Sequence, residues 1–512
     1  MGSLLGCSLA AILLAGSGMG AQPVETVVQD DATLLHRSDA ATNRAVAQIR
    51  DLGADRIRIT AGWSVLAPDA RSTKLPDFDA TNTRTYPQAH FRTLDRAIRA
   101  AASHGLKVQI DLAFWAPRWA VRRASPNPDR HRRAPDPEAF GDFAGAIADR
   151  YSGNFTDPAS GVVLKLPKVE LYTTWNEPNF PYFLQPQWRK TRTGYRPYSP
   201  HLYRPMHEQA YAQIKAADPR NDVLIGGLAA SGSRRPGRGA VAPLEFLRTL
   251  ACVNDRLAPL GVKECKGVRK LHADGFAMHP YSIGVAPGVG AEHPDDVYLA
   301  DLDRLALLIS QLHSQGRTDA AWPIYVTEYG YETRPPDPEA LFTPEKQARY
   351  LSWATYLAHT QPGVRMFAQF LLRDIRTNRH RPGADYQTGL LYHNGRPKPA
   401  AQAFKLPLFA SAADAPDGSR GLVLYGGVRP GQGRQIVRVQ RRVAGTDIWM
   451  PVATVGESCD ESTGGFVTDA DGFFRRTAAW EGPGEYRLGW EHGGIVEFGP
   501  ALAVAERSMI DG

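Results

Sequence analysis

The chain has 512 residues, of which 43% are hydrophobic and 22% are charged, close to the averages of globular proteins. This composition excludes a largely disordered chain and supplies enough apolar side chains for a large core. The formal net charge of +7 is small for this length, so it permits an anionic partner but gives no reason to expect nucleic acid.

The chain opens with an apolar run, residues 4–16, which is too short to cross a bilayer. Small residues follow up to Ala21, so residues 1–21 are predicted to be a signal peptide. The protein is then expected to be secreted or retained in the cell envelope, with no membrane span. The basic residues that usually begin such a leader are missing, and Cys7 leaves lipid anchoring open as an alternative.

The cysteines lack the Cys-x-x-Cys spacing that is typical of a structural zinc site. Cys252 and Cys265 are close enough in sequence for a local disulfide if the protein is exported. The alternative is a pair of free thiols.

Short β-branched runs alternate with longer amphipathic segments from about residue 24 to residue 406. Segment 92–104 shows helical spacing, with Leu94, Ala97, Ile98 and Ala101 on one face, and 201–217, 299–314 and 344–359 are similar. This alternation predicts a (β/α)8 TIM barrel, an α/β fold, as a catalytic domain over residues 22–406. The candidate strands are 25–29, 56–60, 107–112, 169–174, 223–226, 275–279, 324–327 and 366–371.

The pattern changes after Pro407, where short alternating runs are separated by glycine-rich turns and no segment predicts a helix. We therefore expect a small all-β sandwich, an accessory domain over residues 407–512. Its candidate strands are 422–425, 435–441, 449–455, 472–479 and 485–490.

Two acidic motifs end predicted barrel strands. Trp175-Asn176-Glu177-Pro178 closes the fourth strand, and Thr327-Glu328-Tyr329-Gly330 closes the seventh. Pro178 cannot donate to a strand ladder, so pairing should end there. Because the carboxyl ends of all barrel strands share one face, we expect Glu177 and Glu328 to converge over it.

Hydrolysis of a glycosidic bond needs such a pair of carboxyl groups. One protonates the departing oxygen, and the other attacks the anomeric carbon or activates water. A separation of about 5–5.5 Å is typical of retaining enzymes and about 6.5–9.5 Å of inverting ones. The alternative is that both glutamates are salt-bridge partners that clamp the barrel.

The two motifs resemble the acid/base and nucleophile motifs of clan A glycoside hydrolases, especially families 39 and 5. The resemblance spans roughly residues 50–405 and implies a retaining β-glycosidase with Glu177 as general acid/base and Glu328 as nucleophile. It also assigns Asn176 to the sugar 2-hydroxyl and Arg58 to holding Glu328 ionised. His279 and Tyr281 match positions that line the subsite, where Tyr281 would orient Glu328.

The alternatives without a role in catalysis are a core ion pair for Arg58, a structural imidazole for His279 and a turn cap for Asn176. One departure from the clan is the lack of a tryptophan at the end of the eighth strand. Gln369 or Phe370 is expected to replace it, which puts the identity of the sugar in doubt rather than the chemistry.

Aromatic residues follow several of the predicted strands, and pyranose rings stack on such side chains. They favour an elongated cleft with several subsites, although ordinary loop packing would also explain them. The candidates are Trp63, Trp115, Trp119, Tyr182, Phe183 and Trp188.

The same loops are rich in basic residues, which suit a carboxylate or phosphate. They suggest an anionic glycan, and the alternative is solvated surface charge. The basic residues are Arg118, Arg122, Arg123, Arg130, His131, Arg132, Arg133, Arg189, Lys190, Arg192, Arg234, Arg235, Arg238, Arg373, Arg376, Arg379, His380 and Arg381.

The sequence therefore predicts a monomeric retaining β-glycoside hydrolase that acts on an extracellular poly- or oligosaccharide. The motifs imply no metal and no cofactor. A transglycosylase on the same scaffold and a non-catalytic carbohydrate-binding protein are the alternatives. An α/β-hydrolase is disfavoured because the sequence contains no Gly-x-Ser-x-Gly motif.

Overall fold

The computed structural model describes residues 24–121, 131–156, 165–376, 385–414, 420–431, 433–443, 445–452, 459–460 and 465–506. The predicted leader with Cys7 lies outside the described residues. So do six members of the basic loops, namely Arg122, Arg123, Arg130, Arg379, His380 and Arg381.

Eight parallel strands close into a barrel in the order β1-β10-β9-β8-β7-β4-β3-β2 within the described residues, which confirms the predicted TIM-barrel fold. The remaining two strands of this part, β5 and β6, form a hairpin in the long loop after β4. The strands are β1 (Glu25–Gln29), β2 (Arg56–Gly62), β3 (Lys107–Ala113), β4 (Leu171–Thr174), β5 (Trp188–Thr191), β6 (Gly194–Pro197), β7 (Asp222–Ala229), β8 (Gly275–His279), β9 (Ile324–Val326) and β10 (Val364–Phe370).

Helices cover the barrel from outside and bury the apolar faces that the sequence predicts. In α4, Leu94, Ala97, Ile98 and Ala101 are all buried. Asp136 caps α5 by accepting from backbone N–H groups of its first turn. The helices are α1 (Asp31–Leu34), α2 (Asp39–Asp51), α3 (Trp63–Leu66), α4 (Gln88–Ser103), α5 (Pro137–Arg150), α6 (Ser199–Ala217), α7 (Pro243–Leu250), α8 (Leu302–Ser314), α9 (Pro344–Thr360) and α10 (Pro399–Lys405).

The C-terminal part is all β in the residues that the structure describes, as predicted. β11, β12 and β17 form one antiparallel sheet, and β15, β16, β13, β18 and β19 form the other, with β14 and β20 paired at its side. The strands are β11 (Leu408–Asp414), β12 (Arg420–Gly427), β13 (Ile436–Arg442), β14 (Trp449–Pro451), β15 (Cys459–Asp460), β16 (Gly465–Val467), β17 (Phe473–Ala479), β18 (Gly484–His492), β19 (Ile495–Phe498) and β20 (Leu502–Val504).

The structure departs from the sequence prediction mainly in the loops. The β5–β6 hairpin and β11 are strands that the sequence did not indicate, because arginine, lysine and glycine dilute the hydrophobic alternation in the hairpin and β11 is rich in alanine. Cys252 and Cys265 form a disulfide, which confirms that pairing. Among the described residues, no helix combines the length and apolarity needed to cross a membrane.

Two layers fill the barrel. An apolar layer lies lowest and contains Val27, Leu171, Leu224, Ala277, Met366 and Ala368. Buried polar side chains lie on the barrel strands β2, β3 and β4, including Arg58, Gln109, Asp111 and Thr173. The inward-facing positions of a barrel normally carry bulky apolar groups, so this polar layer marks the end where chemistry is expected.

Candidate active site

The backbone after β4 is held in an unusual conformation that presents Glu177. Trp175 and Glu177 have φ of 70° and 40°, in the left-handed region that non-glycine residues rarely adopt. Neighbouring strands hold this segment, since Trp175 N donates to Leu112 O at 2.8 Å and Glu177 N donates to Gly227 O at 2.9 Å. Gly227 itself has φ of 63°, which only glycine adopts without cost.

The segment after β9 presents Glu328 in a similar way. Thr327 N donates to Met278 O at 3.0 Å, and Phe370 N donates to Tyr329 O at 2.8 Å, so both neighbouring strands fix its path. A Cβ at Gly330 would lie 2.5 Å from the carbonyl oxygen of Phe370, so this close approach requires glycine.

Glu177 and Glu328 meet at the barrel mouth, as the sequence predicts. One carboxylate oxygen of each, together with a ring nitrogen of His279, lie within 4.8 Å of one another. His279 Nδ1 is 3.0 Å from Glu177 Oε1 and 3.6 Å from Glu328 Oε2, and the two glutamate side chains remain 16% and 11% exposed. Both carboxyl groups are therefore open to a ligand at the mouth and close enough to act on one sugar ring.

Arg58 contacts Glu328 from within the barrel. Its Nη1 donates to Glu328 Oε1 at 2.6 Å and also to Gln29, and its Nη2 donates to Asn176 Oδ1 at 3.2 Å. Tyr281 donates its hydroxyl to the other oxygen of Glu328 at 3.1 Å. The structure thus brings Arg58, Asn176, His279 and Tyr281 together around the two glutamates.

The two carboxyl groups differ in their electrostatic surroundings. Burial raises the pKa of Glu177, the negative charge of Glu328 raises it further, and the hydrogen bond from His279 only partly opposes this. Burial also acts to raise the pKa of Glu328, but His279, Arg58 and the hydroxyl of Tyr281 outweigh it, and the net pKa lies below its usual value. One group thus favours the protonated form and the other the charged form.

Asp111, which the sequence interpretation missed, completes the polar layer. Its Oδ2 lies 3.0 Å from Arg58 Nη2, and both side chains are fully buried. Burial raises the pKa of Asp111 to about 7, while Arg58 and His279 act to lower it. The available signal was the single carboxylate in β3, a residue type that is rarely buried without a partner.

Aromatic side chains surround the mouth. The Tyr281 ring lies 6.4 Å from Phe370, and Phe370 lies 5.3 Å from Tyr386. Burial, and after it the charges of Glu328 and Glu177, raise the pKa of Tyr386 to about 12. Trp115 packs on Tyr182 at 5.3 Å. Tyr386 was not predicted, because it follows no strand and belongs to no motif.

Two of the predicted aromatic sugar contacts, Trp63 and Trp119, lie elsewhere. Trp63 is fully buried and stacks on Phe143 at 5.7 Å between helices, so it offers no face to a ligand and that prediction is wrong. Trp119 is half-buried, packs edge-on against Trp63 and donates to Pro68 O at 3.1 Å, outside the pair of glutamates.

Gln369 also faces away from the site. Its amide donates to the carbonyl oxygens of Leu371 and Thr388 at 3.2 and 2.8 Å, on the side of β10 opposite the barrel-filling Met366 and Ala368. Because successive strand residues point to opposite faces, Phe370 is the one that reaches the mouth. The prediction for Gln369 is therefore wrong, and Phe370, the other residue considered, takes the position.

Several residues of the basic loops are already paired. Arg189 donates to Glu264, and Arg234 Nη1 lies 2.8 Å from Asp296. Arg132 donates to the Tyr182 carbonyl oxygen at 3.0 Å beside the aromatic rim. These partners reduce the positive charge that the loops offer to a ligand.

The oxygens of Glu177 and Glu328 with the ring nitrogen of His279 are spaced closely enough to share a metal ion. The charge of Arg58, 2.6 Å from Glu328, disfavours a cation there. The geometry therefore fits acid–base and nucleophilic chemistry better than metal binding.

No family model matches the chain, and no curated protein has a significantly similar sequence. Solved structures that it is similar to include a family 39 glycoside hydrolase from the gut symbiont Bacteroides cellulosilyticus WH2, a GH5_18 protein from Streptomyces cattleya in complex with GlcNAc, and a glucosidase from Croceicoccus marinus. Their sequence identities to this chain are 17%, 15% and 12%, with TM-scores of 0.49, 0.48 and 0.47. The alignments cover 90%, 75% and 94% of this chain and 81%, 79% and 97% of those chains.

Proposed function

We propose that the protein is a retaining β-glycoside hydrolase that acts by double displacement. The observation that carries this proposal is the pair of Glu177 and Glu328, with oxygens within 4.8 Å and pKa values moved in opposite directions. This spacing suits the separation of about 5–5.5 Å between carboxyl groups in retaining enzymes better than the wider gap of inverting ones.

In the first step, Glu328 attacks the anomeric carbon while the bond from that carbon to the leaving oxygen breaks. Glu177 gives its proton to this oxygen, and a glycosyl ester on Glu328 results. Arg58 and Tyr281 keep Glu328 charged and oriented before the attack, since they contact its two oxygens at 2.6 and 3.1 Å.

In the second step, water attacks the same carbon and Glu177, now a carboxylate, accepts the proton of that water. The bond to Glu328 breaks, and the sugar leaves with its original configuration. Asn176, held by Arg58, is placed to bind the 2-hydroxyl, and Phe370 with Tyr386 would stack on the ring in place of a strand-eight tryptophan.

For the substrate, we propose a poly- or oligosaccharide outside the cytoplasm. The rim with Trp115 and Tyr182 supports additional sugar contacts, and the Cys252–Cys265 disulfide is typical of an oxidising compartment. That the glycan is anionic stays a narrower prediction. A substrate affinity that does not change with salt up to about half molar would contradict this prediction.

The test combines a panel of aryl β-glycosides with the matching 2-deoxy-2-fluoro glycosides. We expect turnover of at least one aryl glycoside and a stable adduct on the peptide that contains Glu328, located by mass spectrometry. Glu328→Gln should form no adduct, and Glu332→Gln, which alters a neighbouring carboxyl on the same loop, should form it normally. Inversion of configuration or an adduct on another residue would contradict the mechanism. Sugar transfer to an added acceptor in preference to water would identify a transglycosylase.

A further inference from the structure

A large cavity lies at the opposite end of the barrel from the two glutamates. It has a volume of about 1170 Å³ and is lined by the first residues of β1 and β3 and by β12 and β17 of the sandwich. The strand ends that carry Glu177 and Glu328 point away from it, so this cavity is separate from the candidate active site.

The inner wall of this cavity contains a buried positive charge. Arg429 is only 3% exposed, and its Nε and Nη1 donate to Thr26 Oγ1 at 3.1 Å and to Phe404 O at 2.7 Å. Both acceptors are neutral, and no carboxylate of the described residues lies within 4.0 Å of the guanidinium. A buried charge without a directly bonded counter-ion is costly, and burial lowers the pKa of Arg429 to about 10, while the more distant Tyr425 and Asp55 only partly oppose this.

Three polar atoms at this wall lack a hydrogen-bond partner among the described residues. They are Nη2 of Arg429, the hydroxyl oxygen of Tyr425 and Nε2 of His359. The three side chains are packed together, since the His359 ring is 5.9 Å from Tyr425 and 4.4 Å from Phe473, over which Arg429 lies at 5.2 Å. Buried polar groups are nearly always bonded, so three such atoms in one cluster indicate a missing partner.

The outer walls are also positive. Six arginine and lysine side chains line the cavity against four carboxylates, and three of those carboxylates, Glu25, Asp55 and Asp469, are engaged within the protein. Glu25 pairs with Arg56 and Lys107, and Asp469 accepts backbone N–H groups of its own turn. Arg434 and Arg475 have no carboxylate partner in the part of the chain that the structure describes.

We infer that this cavity binds a small molecule through an oxyanion, either a phosphate group or the carboxylate of an acidic sugar. An oxyanion in the cavity supplies a negative charge beside Arg429, and a small shift of the covered Arg429, Tyr425 and His359 side chains would bring their three unpartnered atoms to it. Arg434 and Arg475 stand at the outer wall, where they attract the anion and contact the rest of the ligand. The volume exceeds the size of one phosphate, so it leaves room for a sugar that carries the anion.

The experiment titrates the full chain with inorganic phosphate, glucuronate and neutral glucose by calorimetry, with ionic strength held constant by chloride. We expect saturable binding of phosphate or glucuronate and none of glucose. Arg434→Gln and Arg475→Gln should each weaken binding at least fivefold, and the double variant should abolish it. Arg438→Gln, on a sandwich strand outside the cavity, should bind as the wild type does.

The two anions distinguish the source of the oxyanion. Tighter binding of phosphate identifies a phosphate ligand, and tighter binding of glucuronate identifies an acidic sugar. Absence of saturable binding by the wild type, or equal binding by the Arg434 and Arg475 variants, would overturn the inference.

Two further measurements separate a loss of binding from a loss of folding or of glycosidase activity. Arg429→Gln should also lose binding, but it removes contacts between the two domains, so the exposed Arg434 and Arg475 variants serve as the variants that retain the fold. All variants should retain glycosidase turnover, because the cavity and the glutamates lie at opposite ends of the barrel. Failure of the proposed hydrolase function would therefore leave this inference untouched, and the reverse also holds.

Discussion

Arg58 on β2 and Asp111 on β3 form a fully buried ion pair, with Nη2 3.0 Å from Oδ2, directly beneath the candidate nucleophile. The same guanidinium donates to Glu328 at 2.6 Å, so two carboxylates share one positive charge. Whatever negative charge Asp111 carries therefore reduces the stabilisation that Arg58 gives to Glu328. The reactivity of the nucleophile depends on this buried neighbour as well as on the groups that line the mouth.

Replacing either glutamate should nearly abolish turnover while the fold persists. We expect Glu177→Ala to reduce kcat/KM by about 100- to 10,000-fold, because general acid–base catalysis typically contributes that much. Azide should restore part of the rate of Glu177→Ala on a substrate with a good leaving group, since it attacks the glycosyl ester without a base. Near-wild-type rates in Glu177→Ala or Glu328→Ala, with unchanged melting curves, would end this assignment.

The pH dependence of kcat/KM should be bell-shaped. Activity requires Glu328 charged, so it falls as the pH drops through the lowered pKa of Glu328. Activity also requires Glu177 protonated, so it falls as the pH rises through the raised pKa of Glu177. Glu177→Gln, measured on an aryl glycoside that needs no acid, should lose the alkaline limb and keep the acidic one. An unchanged alkaline limb in this variant would assign the acid elsewhere.

Asp111→Asn should leave the acidic limb of the profile near its wild-type position. Burial raises the pKa of Asp111 to about 7, so its carboxyl is neutral at the lower pH where Glu328 takes up its proton, and a neutral amide replaces it there without a change of charge. Asp95→Asn is the matched control, because Asp95 forms a buried pair with Arg150 at 2.6 Å outside the site. It should lower stability and also leave the limb in place, and a shift to lower pH confined to Asp111→Asn would show that Asp111 is charged there and competes for Arg58.

Asp111 should also affect how stability varies with pH. Its folded pKa of about 7 is above the unfolded value of about 3.9, so the folded state binds this proton more tightly. Its contribution is therefore present at low pH and is lost as the pH rises from about 4 through 7. Asp111→Asn should lose less stability than the wild type between pH 5 and pH 8 in denaturant unfolding. The comparison with wild type separates the effect of Asp111 from that of other carboxyl groups with a raised pKa, such as Glu245.

Two tryptophans that follow barrel strands should behave oppositely when replaced. Trp63 is fully buried, so Trp63→Ala should lower the free energy of unfolding by about 3–5 kcal/mol. Trp115 lies half-buried at the aromatic rim, so Trp115→Ala should raise KM for oligosaccharides with a smaller effect on stability. Urea unfolding and steady-state kinetics on both variants check this. A raised KM in Trp63→Ala alone would contradict the placement of Trp63 in the core and Trp115 at the rim.

Reduction of the Cys252–Cys265 bond should destabilise the protein. The bond closes a loop with a sequence separation of 13 residues. Constraint of such a loop in the unfolded chain is worth about 3 kcal/mol. The melting temperature should fall in reductant, and Cys252→Ser with Cys265→Ser should melt at that lower temperature with or without reductant. A wild-type melting temperature that does not respond to reductant would show that the pair contributes little.

The sequence was sufficient to predict the barrel, the sandwich and the two glutamates at one end of the barrel. Strand periodicity and the motifs after β4 and β9 are local features, and the carboxyl ends of parallel strands necessarily lie on one face. This topology brings Glu177 and Glu328 together across 151 positions, with no information needed on their side-chain partners.

Only the tertiary structure decided which neighbours face these two groups. Gln369 and Phe370 are adjacent, and a one-residue difference along β10 determines which of them enters the mouth. Helix packing buries Trp63. Asp111 pairs with Arg58 on the neighbouring strand, and Tyr386 packs on Phe370 from a loop that returns to the mouth. Such contacts join residues that are distant along the chain, so no local sequence pattern encodes them. The strand ends that present the two glutamates, in contrast, follow directly from the local strand pattern.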